Sequence, residues 1–446
     1  RIGSAYYAKM LCSGVFVKEW DQGTAVIFDV MPDRHWGLGM YEFDIDRRRK
    51  VVTVSLFGLL RRRALFRPGI GCTPVNGTSV DALLAQTKDF KPVRAVPAKL
   101  PWPAGWLANT PAPTPGVDRA RLTRAVDAAF EEPDPDNLRR TRAVVVVHKG
   151  RIIAEQYGQG ITPATPLDGW SLTKSAVNAL AGVLLEAGKI DLDRKPVLPA
   201  WRSATDPRAD ITIDHLLRMT SGLAFKDPRH SLLNASRSIL FERGDTAGGP
   251  ARTPSAAAPG SRWLYAGAST AILCRVLQDA IGGSLAHQFG YPRRALFDRI
   301  GMSSAVLEVD AAGTFMGSAF MYASARDWAR LGLLFLRDGV WGRERILPAG
   351  WVQRSITPVP ASRGVFGASL WLKIPKFLRP EGAGAAPLPD DGFYALGQDG
   401  QVIAMFPSRD LVIVRLGVSR RRAAWDPAVF LEEVVAAFPA KSPTAK

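Results

Sequence analysis

The stretch DGWSLTKSAV, residues 168–177, sets Ser171 three positions ahead of Lys174, where an apolar-periodic segment begins that runs to Gly188. Two readings compete. In the plainer one Ser171 caps a helix, because a serine hydroxyl satisfies a free backbone N–H at a helix start. In the chemical one the helix puts positions three apart on one face, so the Lys174 ammonium reaches the Ser171 hydroxyl. A serine hydroxyl is a poor nucleophile until something takes its proton. A lysine helps if burial or a nearby cation lowers its pKa, or if it works through a second base such as a tyrosinate. The helix N-terminus adds backbone N–H groups that suit a developing oxyanion. Ser-x-x-Lys alone does not choose between the two, so the rest of the chain must.

The 446 residues allow two or three domains, and 47% hydrophobic with 22% charged residues is the composition of a folded globular chain. No apolar run approaches the roughly 18–20 residues of a membrane span. The net charge is +17, with arginine clusters in DRRRK (46–50), LLRRRALFR (59–67) and SRRRAAW (419–425). Such an excess suits nucleic acid, anionic lipid or an acidic polymer. The clusters are scattered, none alternates with aromatics and no nucleic-acid motif is present, so the expectation is an arginine-rich enzyme surface with no nucleic-acid partner. The three cysteines, Cys12, Cys72 and Cys274, and the five histidines have no metal-ligand or redox spacing. Cys274 reads as core, and Cys12 could pair with Cys72 if the protein is exported. The chain opens on Arg1, as a processed product would, which leaves a periplasmic or secreted location and a cytoplasmic one both open.

Residues 1–95 read as a β-rich region with no helix of convincing length, 96–116 as a Pro-rich linker, 117–440 as the main domain and 441–446 as a polar tail. In the main domain DRARLTRAVDAAFEE is an amphipathic helix, and TRAVVVVHKGRIIAEQYG is two strands around Lys149–Gly150. A long helical stretch follows. FGASLWLKI, FYALGQDGQVIAMF and LVIVRLG are three more strands, and DPAVFLEEVVAAF is a closing helix. That order predicts an α/β (α+β) fold: an antiparallel sheet flanked by helices, with a large helical insertion.

Further segments follow Ser171 in order. ITIDHLLRMTSGL (211–223) ends a short helix in a Thr-Ser-Gly turn, and SRWLYAGAST (261–270) brings Tyr265 just ahead of an apolar helix. GTFMGSAFMYASARDWARLGLLFL (313–336) has a helix entry at Arg326 and Asp327, and ALGQDGQ (395–401) sets a Gly-x-x-Gly corner in a buried strand. Singly, each is a cap, a turn or core packing. Together they resemble the serine β-lactamase and penicillin-binding superfamily, nearest its class C β-lactamase-like serine hydrolases. That branch includes D-alanyl-D-alanine carboxypeptidases, esterases and 6-aminohexanoate-oligomer hydrolases.

The resemblance implies a β-lactamase/transpeptidase-like fold and an acyl-enzyme on Ser171, with no metal or organic cofactor. Lys174 shares the proton network, and Tyr265 is the general base or proton shuttle. The N–H of Gln401 joins that of Ser171 as an oxyanion hole, and Gly400 lets the strand approach the ligand. Gln398 and Asp399 stand where the family carries Lys/His-x-Gly, and Gly267 stands where it carries an asparagine. Trp170 adjoins the nucleophile and is a candidate pocket wall; Trp201, Trp263 and Trp371 read as core. Asp327 and Arg326 read as fixing a helix entry, and His215 as packing.

With Gln398 in place of a cation, a substrate carboxylate has no charged anchor. This weakens the β-lactamase and carboxypeptidase alternatives and favours a neutral amide or ester, with a 6-aminohexanoate-type amidase ahead of a carboxylesterase. An inactive binding or scaffold member of the same fold is the second class, motivated by the loss of the asparagine and the cation. A basic protein for anionic polymer or membrane is the third, resting on net charge alone.

Overall fold

The computed structural model describes residues 2–30, 40–92, 99–107, 114–196, 198–203, 205–225 and 235–439. Of the Pro-rich stretch, 96–98 and 108–113 lie outside the described residues, as does the polar tail. The main elements, in chain order, are α1 (Ile2–Phe16), β1 (Tyr41–Asp46), β2 (Val51–Leu56), β3 (Leu59–Arg67), β4 (Gly71–Pro74), α2 (Arg119–Ala128), β5 (Thr141–His148), β6 (Arg151–Tyr157), α3 (Thr173–Glu186), α4 (Gly267–Ile281), α5 (Ala325–Leu336), β7 (Phe393–Leu396), β8 (Val402–Phe406), β9 (Leu411–Gly417) and α6 (Pro427–Val435). They fall into two compact units. The first is Arg1–Arg94, Leu184–Ala295 and Val306–Tyr322; the second is Ala95–Val183, Leu296–Ala305 and Ala323–Lys446.

The second unit is built on a five-stranded antiparallel sheet in the order β7-β8-β9-β5-β6. The central strands β5, β8 and β9 are buried along their whole length, which is why they read as nearly unbroken apolar runs rather than alternating ones. α5 lies against β8 and β9, and Gly332 permits the contact: a Cβ there would sit 2.6 Å from Val412 and 2.8 Å from Ile403. α2 and α6 pack on each other, and α2 also meets β6.

Two strand expectations change. FYALGQDGQVIAMF is not one strand but the hairpin β7–β8, with Leu396 opposite Val402. Asp399 (φ 61) and Gly400 (φ 84) take left-handed conformations between them, which no strand accommodates. FGASLWLKI makes only isolated bridges, Phe366 to Trp371 and Trp371 to Tyr394. It doubles back at Ser369 (φ 57), where the Gly367 N–H donates to the Leu370 carbonyl at 2.9 Å.

In the first unit β1–β4 form an antiparallel sheet in sequence order, and α1 packs on β2, β3 and β4. A 15-residue helix at Ile2–Phe16 departs from the expectation of none in this region. Its residues from Ala8 to Val15 are all buried, so no polar stripe marks one face and the helical period cannot be read. Lys9 is among them. Its ammonium lies 2.5 Å from Glu308 and 2.8 Å from the Ser13 hydroxyl. Glu308 also accepts from the Ser13 hydroxyl at 3.2 Å and the Cys72 N–H at 2.7 Å. Burial pushes the Glu308 carboxyl up, and Lys9 opposes that. A disulfide joins Cys12 to Cys72, tying α1 to β4.

Candidate active site

Ser171 stands in a tight turn, Trp170–Leu172, that runs directly into α3. The turn is built by its own backbone. Asp168 accepts from the Trp170 N–H at 2.9 Å, the Leu172 N–H donates to the Gly169 carbonyl at 3.0 Å, and the Thr173 hydroxyl donates to the Trp170 carbonyl at 2.6 Å. From below it is wedged by α5, since a Cβ on Gly169 would fall 2.3 Å from the Trp328 ring. Trp170 is buried and held at φ 46, a conformation that costs a bulky residue free energy and persists only where the surroundings impose it.

In this geometry the Ser171 hydroxyl is bonded to a side chain and not to the backbone of the turn. The cap position of the turn is Gly169, with no side-chain cap bond. The Ser171 hydroxyl instead accepts from Lys174 Nζ at 2.8 Å, and Lys174 is buried while Ser171 is half-buried. One turn further, α3 carries polar anchors that the sequence reading missed. Asn178 donates to the Ala368 carbonyl at 2.8 Å and accepts from Trp351 at 2.9 Å, and the Ser175 hydroxyl donates to the Ser369 carbonyl at 3.0 Å. The signal was present as polar residues on the buried face of an apolar helix. Their partners lie more than 170 residues away, beyond any local pattern.

The β7–β8 turn meets the Ser171 turn at Gly397. A Cβ on Gly397 would lie 2.6 Å from the Gly169 carbonyl oxygen, so only glycine fits there. The Gly397 N–H donates to the Gln401 carbonyl at 2.9 Å and closes the turn. The sequence reading gave the close approach to Gly400. In the structure the missing Cβ of Gly400 makes room for Arg415, 2.4 Å from where it would stand, and for Trp425. Gln401 is likewise turned inward: its side chain donates to the Gly417 carbonyl at 2.6 Å and accepts from the Gly417 N–H at 2.9 Å. Gln398 is exposed and Asp399 half-buried.

Under this turn sits Arg415, fully buried in β9. Its guanidinium donates to the carbonyls of Asp399 (3.3 Å), Gly400 (3.1 Å) and Arg139 (2.8 Å) and to the hydroxyls of Thr141 (2.7 Å) and Ser419 (2.9 Å). It also stacks on Trp425, 4.1 Å from the ring centre. Among the described residues no carboxylate is bound to it, and burial pushes it down to about 9. A lone charge in LVIVRLG was the available signal.

Tyr265 and Gly267 belong to the first unit. Tyr265 is half-buried just ahead of α4, on a segment carried by the Thr-Ser-Gly turn. There the Leu264 N–H donates to Met219 at 3.0 Å and the Gly260 N–H to Thr220 at 2.7 Å. Gly267 opens α4, where a Cβ would touch Ser318 at 3.4 Å. His215 completes a capping box with Thr212, and Cys274 is buried and takes no part in the disulfide. In the second unit Asp327 binds Ser304 and Arg330, and Arg326 binds Glu155 and the Trp106 carbonyl, as side chains that fix a helix entry do. Among the described residues no three His, Cys, Asp or Glu side chains gather as metal ligands would, and no helix is long and apolar enough to cross a membrane.

The fold recurs in solved structures. A candidate 6-aminohexanoate-dimer hydrolase from Bacillus anthracis matches at TM-score 0.53 and 23% identity, over 67% of this chain and 76% of that one. A candidate β-lactamase from Bacteroides dorei DSM 17855 matches at TM-score 0.55 and 18% identity, over 72% and 99%. A class C β-lactamase matches at TM-score 0.51 and 14% identity, over 73% and 97%. These likenesses show a β-lactamase/transpeptidase fold of helices and antiparallel sheet, and a family model extends the match to sequence. That model, Beta-lactamase, covers residues 126–423, well over half of the chain, and the protein belongs to that family.

Proposed function

We propose that the protein is a serine hydrolase that cleaves an amide or ester through an acyl-enzyme on Ser171. The observation that carries this reading is the 2.8 Å bond from the buried Lys174 ammonium to the Ser171 hydroxyl, on a turn whose strain at Trp170 is otherwise unexplained. Ser171 Oγ attacks the substrate carbonyl carbon while its proton passes into the network of Lys174 and Tyr265. The tetrahedral oxyanion is held by two backbone N–H groups. One is that of Ser171. The second is that of Gln401, on the turn whose Gly397 abuts the Ser171 turn, with its side chain fixed by two bonds to Gly417. Tyr265 returns the proton to the leaving nitrogen or oxygen. Water activated by the same pair then releases the acid and restores Ser171. Each oxyanion donor in such a site is worth about 3–4 kcal/mol. The cycle as drawn uses no metal or organic cofactor.

Gln398 and Gly267 bear on the substrate. A neutral amide side chain at the mouth offers hydrogen bonds and no charge, which favours an uncharged amide or ester over a substrate anchored by its carboxylate. A 6-aminohexanoate-type amide is the first class to screen. The same two replacements favour the inactive binding member as the second reading.

Hydrolysis of a short-chain p-nitrophenyl ester by the wild type, Ser171→Ala, Lys174→Met and Tyr265→Phe, with intact mass taken during turnover, tests this directly. An acyl adduct on the wild type and loss of activity in all three variants is expected. Equal rates in the wild type and Ser171→Ala would sink the reading.

A further inference from the structure

The hairpin between β2 and β3 points its most apolar residues into solvent. Phe57 is 66% exposed, Leu59 70% and Leu60 49%. The two-residue turn Phe57–Gly58 has φ 51 and 69, and Leu60 has φ 47. A hairpin turn of this kind selects Asn-Gly or Asp-Gly, residues that tolerate left-handed backbone. Here a phenylalanine and a leucine occupy such conformations at a steric cost, with their side chains unburied. Neither folding stability nor turn chemistry explains that choice, and strain kept at an exposed site points to a use for the site.

Arg61, Arg62 and Arg63 follow at once on β3, the first and third exposed. None of the three forms an ion pair among the described residues, and Arg62 donates only to the carbonyl of Arg61, at 3.1 Å. Arg61 and Arg63 line a shallow groove of about 660 Å³ with Thr53 and Ser55 of β2 and Glu42, Phe43 and Asp44 of β1; Ser55 donates to Glu42 at 2.8 Å, and the Glu42 carboxylate lies 3.9 Å from where a Cβ of Gly58 would stand. Arg61 and Arg63 hold the β3 side of the groove, which runs into the apolar tip, and Arg62 beside them brings the cations to three against the two carboxylates of β1.

We propose that this hairpin docks the protein on an anionic phospholipid surface: Phe57, Leu59 and Leu60 enter the headgroup–acyl boundary, and Arg61, Arg62 and Arg63 meet lipid phosphates. An apolar tip with a cationic collar is the arrangement that interfacial binding needs, because each part alone gives weak and reversible attachment. Guanidinium groups bind phosphate oxygens in pairs, and hydroxyls beside them extend the contact. A second copy of the chain is the poorer occupant. A two-fold contact through this tip would set two Arg61–Arg63 runs against each other, on a molecule already at +17. Docking of this kind needs no spanning helix.

The test is co-sedimentation of the full chain with vesicles of phosphatidylcholine alone or mixed with phosphatidylglycerol. The comparison is wild type, Phe57→Ser/Leu59→Ser/Leu60→Ser and Arg61→Gln/Arg62→Gln/Arg63→Gln. Thermal melts establish that each variant is folded, since the hairpin carries no candidate catalytic residue. Binding to the mixed vesicles is expected, weakened at least about tenfold by high salt and at least about a hundredfold by either triple substitution. Four results would overturn the proposal. They are no binding to either vesicle, equal binding to both, binding retained by the serine variant (which would make it a property of net charge), and concentration-dependent self-association of the wild type that the serine variant abolishes.

Discussion

Replacing Arg415 by methionine should leave the protein nearly as stable as before and much less active. Burial pushes the guanidinium down to about 9, a loss of preference for the charged form on the order of 5 kcal/mol. Methionine removes that cost and roughly fills the space. Against it stand the groups left behind. The Thr141 and Ser419 hydroxyls can turn to other partners, and the Arg139 carbonyl still accepts from Ser419. The Asp399 carbonyl keeps the Ser419 N–H at 3.0 Å, and the Gly400 carbonyl loses the guanidinium without a replacement from methionine. One carbonyl left without a partner costs about 1–3 kcal/mol, and the smaller side chain adds a packing loss of similar size. The two sides offset to within a few kcal/mol, so the melting temperature should stay within about 10 °C of the wild type. Activity has no such offset. The turn freed from Arg415 carries the N–H assigned to the oxyanion, and losing one such donor lowers kcat by about 10²–10³. KM should move only a few-fold, because the donor acts on the charge that develops in the transition state. Arg415→Lys keeps a charge but cannot span both carbonyls and both hydroxyls, and should lie between the two. Ester hydrolysis and a thermal melt on each variant decide the matter. A methionine variant within threefold of wild-type kcat would show that Arg415 does not hold the donor. A collapse of melting temperature in step with activity would show that the energetic offset is wrong.

Two other expectations follow from the same architecture. Gly397→Ala forces a methyl group to 2.6 Å from the Gly169 carbonyl and should separate the two turns; kcat should fall at least about a hundredfold, while Gly384→Ala, with open space around it, serves as the neutral control. His148, at the end of β5, is held below 6.5 chiefly by burial and further by Lys149, with Asp410 opposing. A base depressed in the folded state is protonated more readily when unfolded, so stability falls as pH drops through 6.5, by about 1.4 kcal/mol for each pH unit between the unfolded and folded values. His148→Phe should therefore lose less melting temperature than the wild type between pH 7.5 and 5.5. His215, depressed by burial in the same direction, keeps the slope from vanishing. Parallel slopes in the two proteins would refute the assignment.

What could be read from the sequence was what is local or periodic. Ser171 and Lys174 are one helical turn apart, so their meeting needs no tertiary information. β5, β6 and β9 announce themselves as valine- and isoleucine-rich runs between turn residues. The β7–β8 corner was misread because its left-handed residue is Asp399, and an aspartate in an apolar frame does not declare its φ. That error moved the close approach from Gly397 to Gly400. α1 was missed for the opposite reason, since a helix buried on every side has no amphipathic period. Arg415 was passed over although it is a charge in an apolar strand, because its partners at 139, 141, 399, 400 and 419 become neighbours only when the sheet forms.

The buried pair of Lys9 and Glu308 also sets an order of events during synthesis. Ser13 and Glu308, bonded in the finished unit, are 295 residues apart. At about 5–20 residues per second, α1 leaves the ribosome roughly 15–60 s before the acid that will receive its lysine exists. Through that interval α1 has its apolar sides only partly covered, and Lys9 must stay hydrated because Glu308 is not yet there to balance its charge. Cys12 can meet Cys72 much earlier, so oxidation has the opportunity to fix α1 on β4 while the rest of the unit is still being translated. A nascent chain that ends before residue 308 cannot close this core, and α1, made long before that residue, is among the last elements to be secured.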